Sequence, residues 1–168
     1  TLSSSSAASD VYKRQDLKTG NWLHFAVTYA DRDNTSEGGV ARKVYLNGEL
    51  IQQANINWST TGGNMDDGMY FGGRSLRGSG TSTSYNNGWA CGLDEVAIYD
   101  TAKDSDWVAS VYNGETSYDH RGESGLVGYW KFNEGSGTTV NDYSGNGNHG
   151  TFAPISGDTT AYPTWETR

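Results

Sequence analysis

The chain has 168 residues, a formal net charge of −8, 23 glycines and 12% aromatic residues, while charged residues make up only 19%. This length allows one domain with a modest core, and the composition favours an all-β sandwich over a helical bundle or a disordered chain. An acidic chain lacks the basic face that a nucleic-acid backbone needs, which argues against nucleic acid and against an anionic membrane surface as partners. No apolar run is long enough for membrane insertion.

Cysteine and histidine usage offers no metal or redox site. The single cysteine, Cys91, cannot form an internal disulfide, and we interpret it as a small buried residue in a strand. The three histidines, His24, His120 and His149, lack the spacing of a metal triad or of a Ser-His-Asp set. We therefore interpret His24, on the polar side of a strand, as structural.

Residues 1–15 have no apolar periodicity and are interpreted as a disordered leader. Residues 5–15 read Ser-Ser-Ala-Ala-Ser-Asp-Val-Tyr-Lys-Arg-Gln and resemble a translated transposon-type sequencing adapter. The alternative is an ordinary Ser-rich linker. We expect an artefactual leader that takes no part in the fold, so the lack of a signal peptide carries no information.

The first predicted elements form a hairpin. Residues 22–29 alternate between two sides and predict a half-buried strand, with Trp22 in the core. Residues 43–46 predict the return strand. Asn47 and Gly48 tolerate positive φ, so this pair predicts a tight turn, after which residues 49–54 pair back.

The middle of the chain mixes short strands and a long loop. Residues 69–72 predict a strand, and residues 73–88 predict a sixteen-residue loop of the kind that is usually functional or mobile. Residues 89–99 predict another strand. Its apolar residues change sides, because Leu93 lies on one face of the strand and Val96 and Ile98 lie on the other. A β-bulge near Asp94 and Glu95 would direct all three to the core.

A short helix is predicted next. Ser105 is a suitable N-cap, Val108 and Val111 lie on one helical face, and Gly114 is a suitable stop. Residues 118–124 are polar and predict a linker. Residues 126–132 then predict a final strand, with Trp130 in the core, followed by a Gly/Asn-rich stretch and a tail.

Several stretches resemble the laminin-G-like, concanavalin A-type jelly-roll family. Residues 20–29 resemble its central strand, and residues 44–50 resemble its Asn-Gly hairpin. Residues 92–99, Gly-Leu-Asp-Glu-Val-Ala-Ile-Tyr, resemble its closing element. Its opening element is resembled by residues 128–137, Gly-Tyr-Trp-Lys-Phe-Asn-Glu-Gly-Ser-Gly, and by the turn at residues 142–150. The resemblance implies an antiparallel jelly-roll β-sandwich of concanavalin A-like type with one short helix.

The closing element precedes the opening one, and two arrangements fit that order. The C-terminal strand either supplies the missing first strand of the same sandwich, or starts a second, incomplete module of a tandem array. We favour completion, because an unpaired strand with Trp130 and Phe132 would expose apolar area. The predicted division is a leader (1–15), the C-terminal portion of a jelly roll (16–118), a linker (119–125), the completing strand and turn (126–152) and a tail (153–168).

The resemblance raises the question of glycoside hydrolysis. Glycanases of this superfamily carry Glu-x-Asp-x-x-Glu on one strand, which sets the nucleophile and the acid on one face. Here Gly92 and Ala97 stand where the two glutamates would be. We therefore expect no enzyme activity, and expect Asp94 and Glu95 to anchor the bulge by hydrogen-bonding neighbouring backbone.

Structural calcium is the cofactor that the resemblance implies, because related modules often carry it in oxygen-rich turns. The first candidate ligands are Asp142, Ser144, Asn146 and Asn148. A weaker set, Asp31, Asp33 and Glu37, lacks the glycine and the final glutamate spacing of an EF-hand. The alternative is that these residues serve turn geometry alone.

Sugar-binding modules place aromatic faces against pyranose rings and polar side chains against hydroxyl groups. The candidate ligand-binding residues in or beside the long loop are Arg74, Arg77, Tyr85, Asn86, Asn87 and Trp89, with Trp58 in another polar segment. They predict a non-catalytic carbohydrate-binding or adhesion module of a larger secreted, cell-surface or phage structural protein, with glycans or cell-surface polysaccharide as partner. The alternatives are a structural repeat that packs against sister modules, and an accessory domain of a glycoside-active enzyme.

Overall fold

The computed structural model describes residues 20–30, 40–56, 69, 71, 74–76, 84–86, 92–112, 117–153 and 163–166. Its regular structure consists of antiparallel strand pairs and one short helix, so the all-β prediction is confirmed. The chain forms two compact units, Thr1–Ser59 with Thr101–Tyr118, and Thr60–Asp100 with Asp119–Arg168. Among the described residues, no helix has the length and hydropathy of a bilayer-spanning segment. Cys91 lies outside the described residues.

The first unit contains a three-stranded antiparallel sheet of β1 (Phe25–Tyr29), β2 (Val40–Leu46) and β3 (Glu49–Ile56), in that order. Asn47 and Gly48 have φ values of 51° and 75°, which confirms the predicted hairpin turn. The Asn47 side chain also accepts a hydrogen bond from the His24 backbone N–H at 3.0 Å. The turn residue thereby fixes the start of β1 against the β2–β3 hairpin.

The helix α1 (Ser105–Val111) begins one residue earlier than a Ser105 cap predicts. Its N-cap is Asp104, whose carboxylate accepts from the Trp107 backbone N–H at 2.8 Å. Ser105 instead forms a 3.1 Å hydrogen bond with the Tyr45 hydroxyl. The Ser105 prediction was wrong because Asp and Ser are equally good caps, and the packing of Tyr45 selects between them.

The core of the first unit lies between α1 and one face of the sheet. Val108 and Val111 are buried as predicted, and Tyr45 is fully buried. His24 is half-buried and stacks on Tyr112 with ring centroids 5.8 Å apart, and burial lowers the pKa of His24. The helix ends at Val111, short of Gly114, which lies outside the described residues.

Two expectations about β1 were wrong. Trp22 is 65% exposed rather than in the core, because the strand begins only at Phe25 and leaves Trp22 outside the sheet. His24, placed on the polar side of the strand, is on the side that α1 covers. Phe25 and Tyr29, on the apolar parity, are the exposed residues.

The predicted loop at residues 73–88 contains a hairpin in the second unit. β4 (Arg74–Leu76) and β5 (Ser84–Asn86) pair antiparallel. The expected strand at residues 69–72 is not seen at its two described positions, Met69 and Phe71. Gly and Ser richness favoured a loop, but hairpin strands of three residues are too short to leave a periodic pattern.

The closing and opening elements are hydrogen-bonded neighbours. β6 (Val96–Tyr99) pairs antiparallel with β7 (Leu126–Trp130), and Trp130 is 9% exposed, as expected for a core residue. The bulge prediction at Asp94 and Glu95 was wrong. Both precede β6, and the register instead shifts between Ile98 and Tyr99, which leaves Val127 as the extra residue of β7. The predicted division of the chain into one completed sandwich stays a prediction.

The segment at residues 118–124 is packed rather than linker-like. His120 is buried, and its Nδ1 lies 2.7 Å from the Tyr99 hydroxyl. A further pair of strands, β8 (Thr139–Val140) and β9 (Gly150–Thr151), follows β7. Part of the predicted tail also packs, because Trp165 donates to the Gly137 carbonyl at 2.8 Å and its ring lies 4.9 Å from that of Phe152.

Candidate functional site

The β4–β5 hairpin places three of the predicted sugar-binding residues on paired strands. Arg74 is the cross-strand partner of Asn86, and Tyr85 is the partner of Ser75 one position along. Cross-strand partners in an antiparallel pair lie about 5 Å apart at Cα. The hairpin therefore brings together residues that are twelve positions apart in sequence. The other predicted ligand-binding residues lie outside the described residues: Trp58, Arg77, Asn87 and Trp89.

The predicted calcium turn is centred on the Asp142 carboxylate, which is buried. Its Oδ1 accepts from the backbone N–H groups of Tyr129, at 2.9 Å, and Ser144, at 2.8 Å. Its Oδ2 accepts from the Ser144 hydroxyl and from the Asn148 backbone N–H, both at 2.8 Å. Burial alone would raise the pKa of Asp142, but these hydrogen bonds outweigh it and lower the pKa to about 2.

The asparagines of this turn use their amide nitrogens toward β7. Asn146 donates to the Val127 carbonyl at 3.0 Å and Asn148 donates to the same carbonyl at 2.9 Å. Val127 is the extra residue of β7 and has no cross-strand partner in β6, so the two amides supply hydrogen-bond donors for its carbonyl. The turn therefore holds β7 in place through side chains.

This donor set does not fit calcium. A carboxylate has about four lone-pair sites, and the Asp142 carboxylate fills them with N–H and O–H donors. A calcium ion needs those same oxygens as ligands. Within the described part of the chain, no three His, Cys, Asp or Glu side chains are grouped as a metal site would require. The weaker candidates, Asp31, Asp33 and Glu37, lie outside the described residues.

A buried polar cluster beside β6 and β7 was missed by the sequence reasoning. The Tyr129 phenol is fully buried and donates a hydrogen bond to the Glu95 carboxylate. Burial raises the pKa of Tyr129, and the bond to Glu95 raises it further. The His120 ring packs edge-on against the Tyr129 ring at 5.1 Å and bonds Tyr99. Glu95 therefore anchors a side chain and not, as expected, neighbouring backbone.

The sequence carried little signal for this cluster. His120 stands alone in a polar stretch, and its partners lie 21 and 9 residues away. Glu95 adopts φ of 50°, a left-handed conformation that is uncommon for a non-glycine residue. Glu95 directly precedes β6, and its carboxylate accepts the hydrogen bond from the Tyr129 hydroxyl. Only the β6–β7 pairing brings these residues together.

Above the cluster, an exposed ion pair joins Asp119 and Arg121. The Arg121 guanidinium donates to both carboxylate oxygens, and these hydrogen bonds lower the pKa of Asp119. Lys131 lies on the same side, with Nζ 5.8 Å from the centre of the Tyr129 ring. Because the pair is solvent-exposed, it contributes little to stability.

Comparison with known proteins identifies the family. Residues 1–109 match the family model of the concanavalin A-like lectin/glucanase superfamily in its laminin G-like form. The match takes in the leader, whose interpretation as an adapter stays a prediction, and it ends before β7. No curated protein and no solved structure gives a significant match to the chain. The family match covers more than half of the sequence, and the chain belongs to the laminin G-like branch of the concanavalin A-like lectin/glucanase superfamily.

Proposed function

We propose that this chain is a non-catalytic carbohydrate-binding or adhesion module of a larger protein. The observation that carries the proposal is the β4–β5 hairpin, which sets Arg74, Tyr85 and Asn86 on paired strands in a member of a lectin-containing superfamily. Aromatic, guanidinium and amide side chains are the residue types that sugar sites combine. Glycans or cell-surface polysaccharide are the partners that this combination suits.

The state of Glu95 supports a non-catalytic role. Its carboxylate accepts a hydrogen bond from the buried Tyr129 phenol, so it is held inside a structural cluster. Retaining glycoside hydrolysis needs a second carboxylate about 5–5.5 Å away, and inverting hydrolysis needs a wider pair. The flanking positions where the family motif would supply them are Gly92 and Ala97.

We infer an extracellular, cell-surface or virion-surface location, because laminin G-like domains are commonly extracellular. At such a location the module would attach its parent protein to a polysaccharide. Under the structural-repeat alternative the isolated chain binds no sugar, whereas under the carbohydrate-binding proposal it does. Binding by the isolated chain is therefore the measurement that separates them.

The test is a glycan array probed with the purified chain, once with calcium and once with a chelator. We expect binding to at least one class of glycan, and we expect Tyr85→Ala and Arg74→Ala each to weaken it by about tenfold or more, the usual loss when a residue that carries binding is truncated. Tyr143→Ala is the matched control, because Tyr143 is an exposed aromatic residue of the Asp142 turn. An array without signal in both conditions would contradict the proposal and favour the structural repeat.

A further inference from the structure

The chain repeats the dipeptide Asn-Gly in two described turns. In this dipeptide the backbone nitrogen of the glycine can approach the side-chain carbonyl carbon of the asparagine, because glycine has no Cβ to obstruct it. Asn47–Gly48 and Asn146–Gly147 are the two pairs, and their glycines have similar φ values of 75° and 76°. The further pairs, at residues 87–88 and 113–114, lie outside the described residues. The two described turns therefore differ mainly in what surrounds them.

The two asparagines use opposite ends of the side-chain amide. The Asn47 oxygen accepts from the His24 backbone N–H at 3.0 Å. The Asn146 nitrogen donates to the carbonyls of Leu126, at 3.1 Å, and Val127, at 3.0 Å. Conversion of the amide to a carboxylate replaces the nitrogen with an oxygen. This change keeps the acceptor at Asn47, whereas at Asn146 it sets a negatively charged oxygen against two carbonyl oxygens.

The two glycines differ in how closely they are packed. Gly48 is half-buried, and a Cβ there would lie 3.2 Å from the Tyr112 side chain and 3.4 Å from the Ala109 Cα. Gly147 is exposed, and a Cβ there would meet no described atom within 4 Å. Solvent therefore reaches the Gly147 backbone, and no packing holds it in one conformation. The helix and the residue that follows it restrict Gly48.

From these differences we infer that Asn146 is a site of spontaneous deamidation, and that the reaction detaches the C-terminal turn from β7. The Gly147 backbone nitrogen loses its proton to solvent base and attacks the Asn146 Cγ. The bond from Cγ to the side-chain nitrogen breaks, and ammonia leaves with a proton returned by solvent. Water then opens the succinimide ring to aspartate or isoaspartate. The net reaction is hydrolysis of one amide by one water molecule, so it requires no oxidant, reductant or further reactant.

The hydrogen bonds of Asn146 make the reaction depend on local opening of the turn. While the amide donates to Leu126 and Val127, the side chain is directed at β7 and not at Gly147. Attack therefore proceeds from the fraction of molecules in which the turn has opened. The carboxylate that forms is unable to donate to these carbonyls, and isoaspartate also adds a methylene group to the backbone. Closure of the turn is then disfavoured, so the modification is a one-way release of β7.

The experiment is incubation of the full chain in mildly alkaline buffer enriched in heavy-oxygen water, followed by peptide mapping with mass spectrometry. Each deamidation introduces a heavy oxygen. We expect modification at Asn146 to accumulate about fivefold or more faster than at Asn47, because an exposed turn opens more often than a packed one. In urea the two sites should react at similar rates, since the dipeptide is the same. Equal rates in the folded chain, or a difference that persists in urea, would overturn the inference.

Asn146→Asp and Asn47→Asp are a matched pair that tests the structural consequence, because both add the same charge. We expect Asn146→Asp to speed hydrogen exchange of the Leu126–Trp130 amides by about tenfold, the effect of losing hydrogen bonds of ordinary strength. Asn47→Asp should leave these amides at the wild-type rate. The deamidated fraction of the wild-type chain gives a second measurement that does not require a variant to fold. Wild-type exchange of β7 in both Asn146→Asp and that fraction would overturn the inference.

Discussion

At the scale of single residues, Asp142 shows how one carboxylate organises the C-terminal turn. It accepts hydrogen bonds from Tyr129 in β7 and from Ser144 and Asn148 in the turn. The sequence reasoning grouped the correct residues and expected calcium among them. An oxygen-rich pattern of Asp, Ser and Asn serves calcium and hydrogen-bonded turns equally, so the pattern alone could not distinguish them.

We predict that Asp142→Ala destabilises the chain by about 3 kcal/mol or more, because buried N–H donors of Tyr129 and Asn148 lose their acceptor. Urea denaturation, followed by tryptophan fluorescence, measures the change in the free energy of unfolding. Tyr143→Ala, at the neighbouring exposed position, is the control and should change it far less. Calcium should leave the midpoint of the wild-type chain unchanged, and a midpoint that rises with calcium would contradict the assignment of Asp142.

The lowered pKa of Asp142 predicts an acid-sensitive stability. The pKa of Asp142 is about 2 in the folded chain, against 3.8 for an unperturbed aspartate, so the unfolded chain binds a proton at this carboxylate more readily. The contribution, about 2 kcal/mol, is present above the unfolded pKa and is lost as the pH falls from about 4 toward 2. Unfolding free energies measured across this range should fall less steeply for Asp142→Ala than for the wild type. Equal slopes would refute the assignment.

At the scale of elements, β7 depends on a glycine that the sequence did not single out. Trp130 is two residues after Gly128, so both lie on one face of the strand, and the indole covers Gly128. A Cβ on Gly128 would overlap the ring at Cη2 and lie 2.9 Å from Cζ2. The indole is fixed in that position by its hydrogen bond to the Asn148 carbonyl at 2.8 Å.

We predict that Gly128→Ala destabilises the chain by roughly 1–3 kcal/mol, the usual cost of forcing a methyl group into a filled site. Gly150→Ala in β9 is the matched control, because its new Cβ would make ordinary contact, 3.6 Å from the Val140 Cβ. Thermal unfolding followed by near-ultraviolet circular dichroism reports both the midpoint and the tryptophan environment. Equal midpoints for the two variants would show that the indole does not need the space above Gly128.

At the scale of the whole molecule, the two family elements that stand in inverted order along the chain pair with each other as strands. β6, from the closing element, is hydrogen-bonded to β7, from the opening element, and their pairing assembles the Tyr129 cluster. Residues 1–109 carry the family match, yet β7 lies beyond it. The pairing is what completion of one sandwich requires, and two partial modules would not need it.

We predict that a chain truncated after residue 118 loses protection in β6, because β7 is its partner among the described strands. Hydrogen exchange read by mass spectrometry should show faster exchange of the Val96–Tyr99 amides in the truncated chain. The amides of β2, which pair with β1 and β3, serve as the internal control. Unchanged protection of Val96–Tyr99 after truncation would contradict the completion arrangement.

The sequence by itself determined the fold class, the Asn47–Gly48 turn and the helix with its buried valines, because each depends on local backbone preference or short-range periodicity. It also placed Trp130 in the core. Only the tertiary structure decided that Asp104 caps the helix and that Trp22 is exposed, since both depend on where neighbouring elements pack. The chemistry of Asp142 was decided in the same way. Its oxygens are filled by N–H groups from β7 and the turn, and this arrangement exists only after the strand and the turn come together.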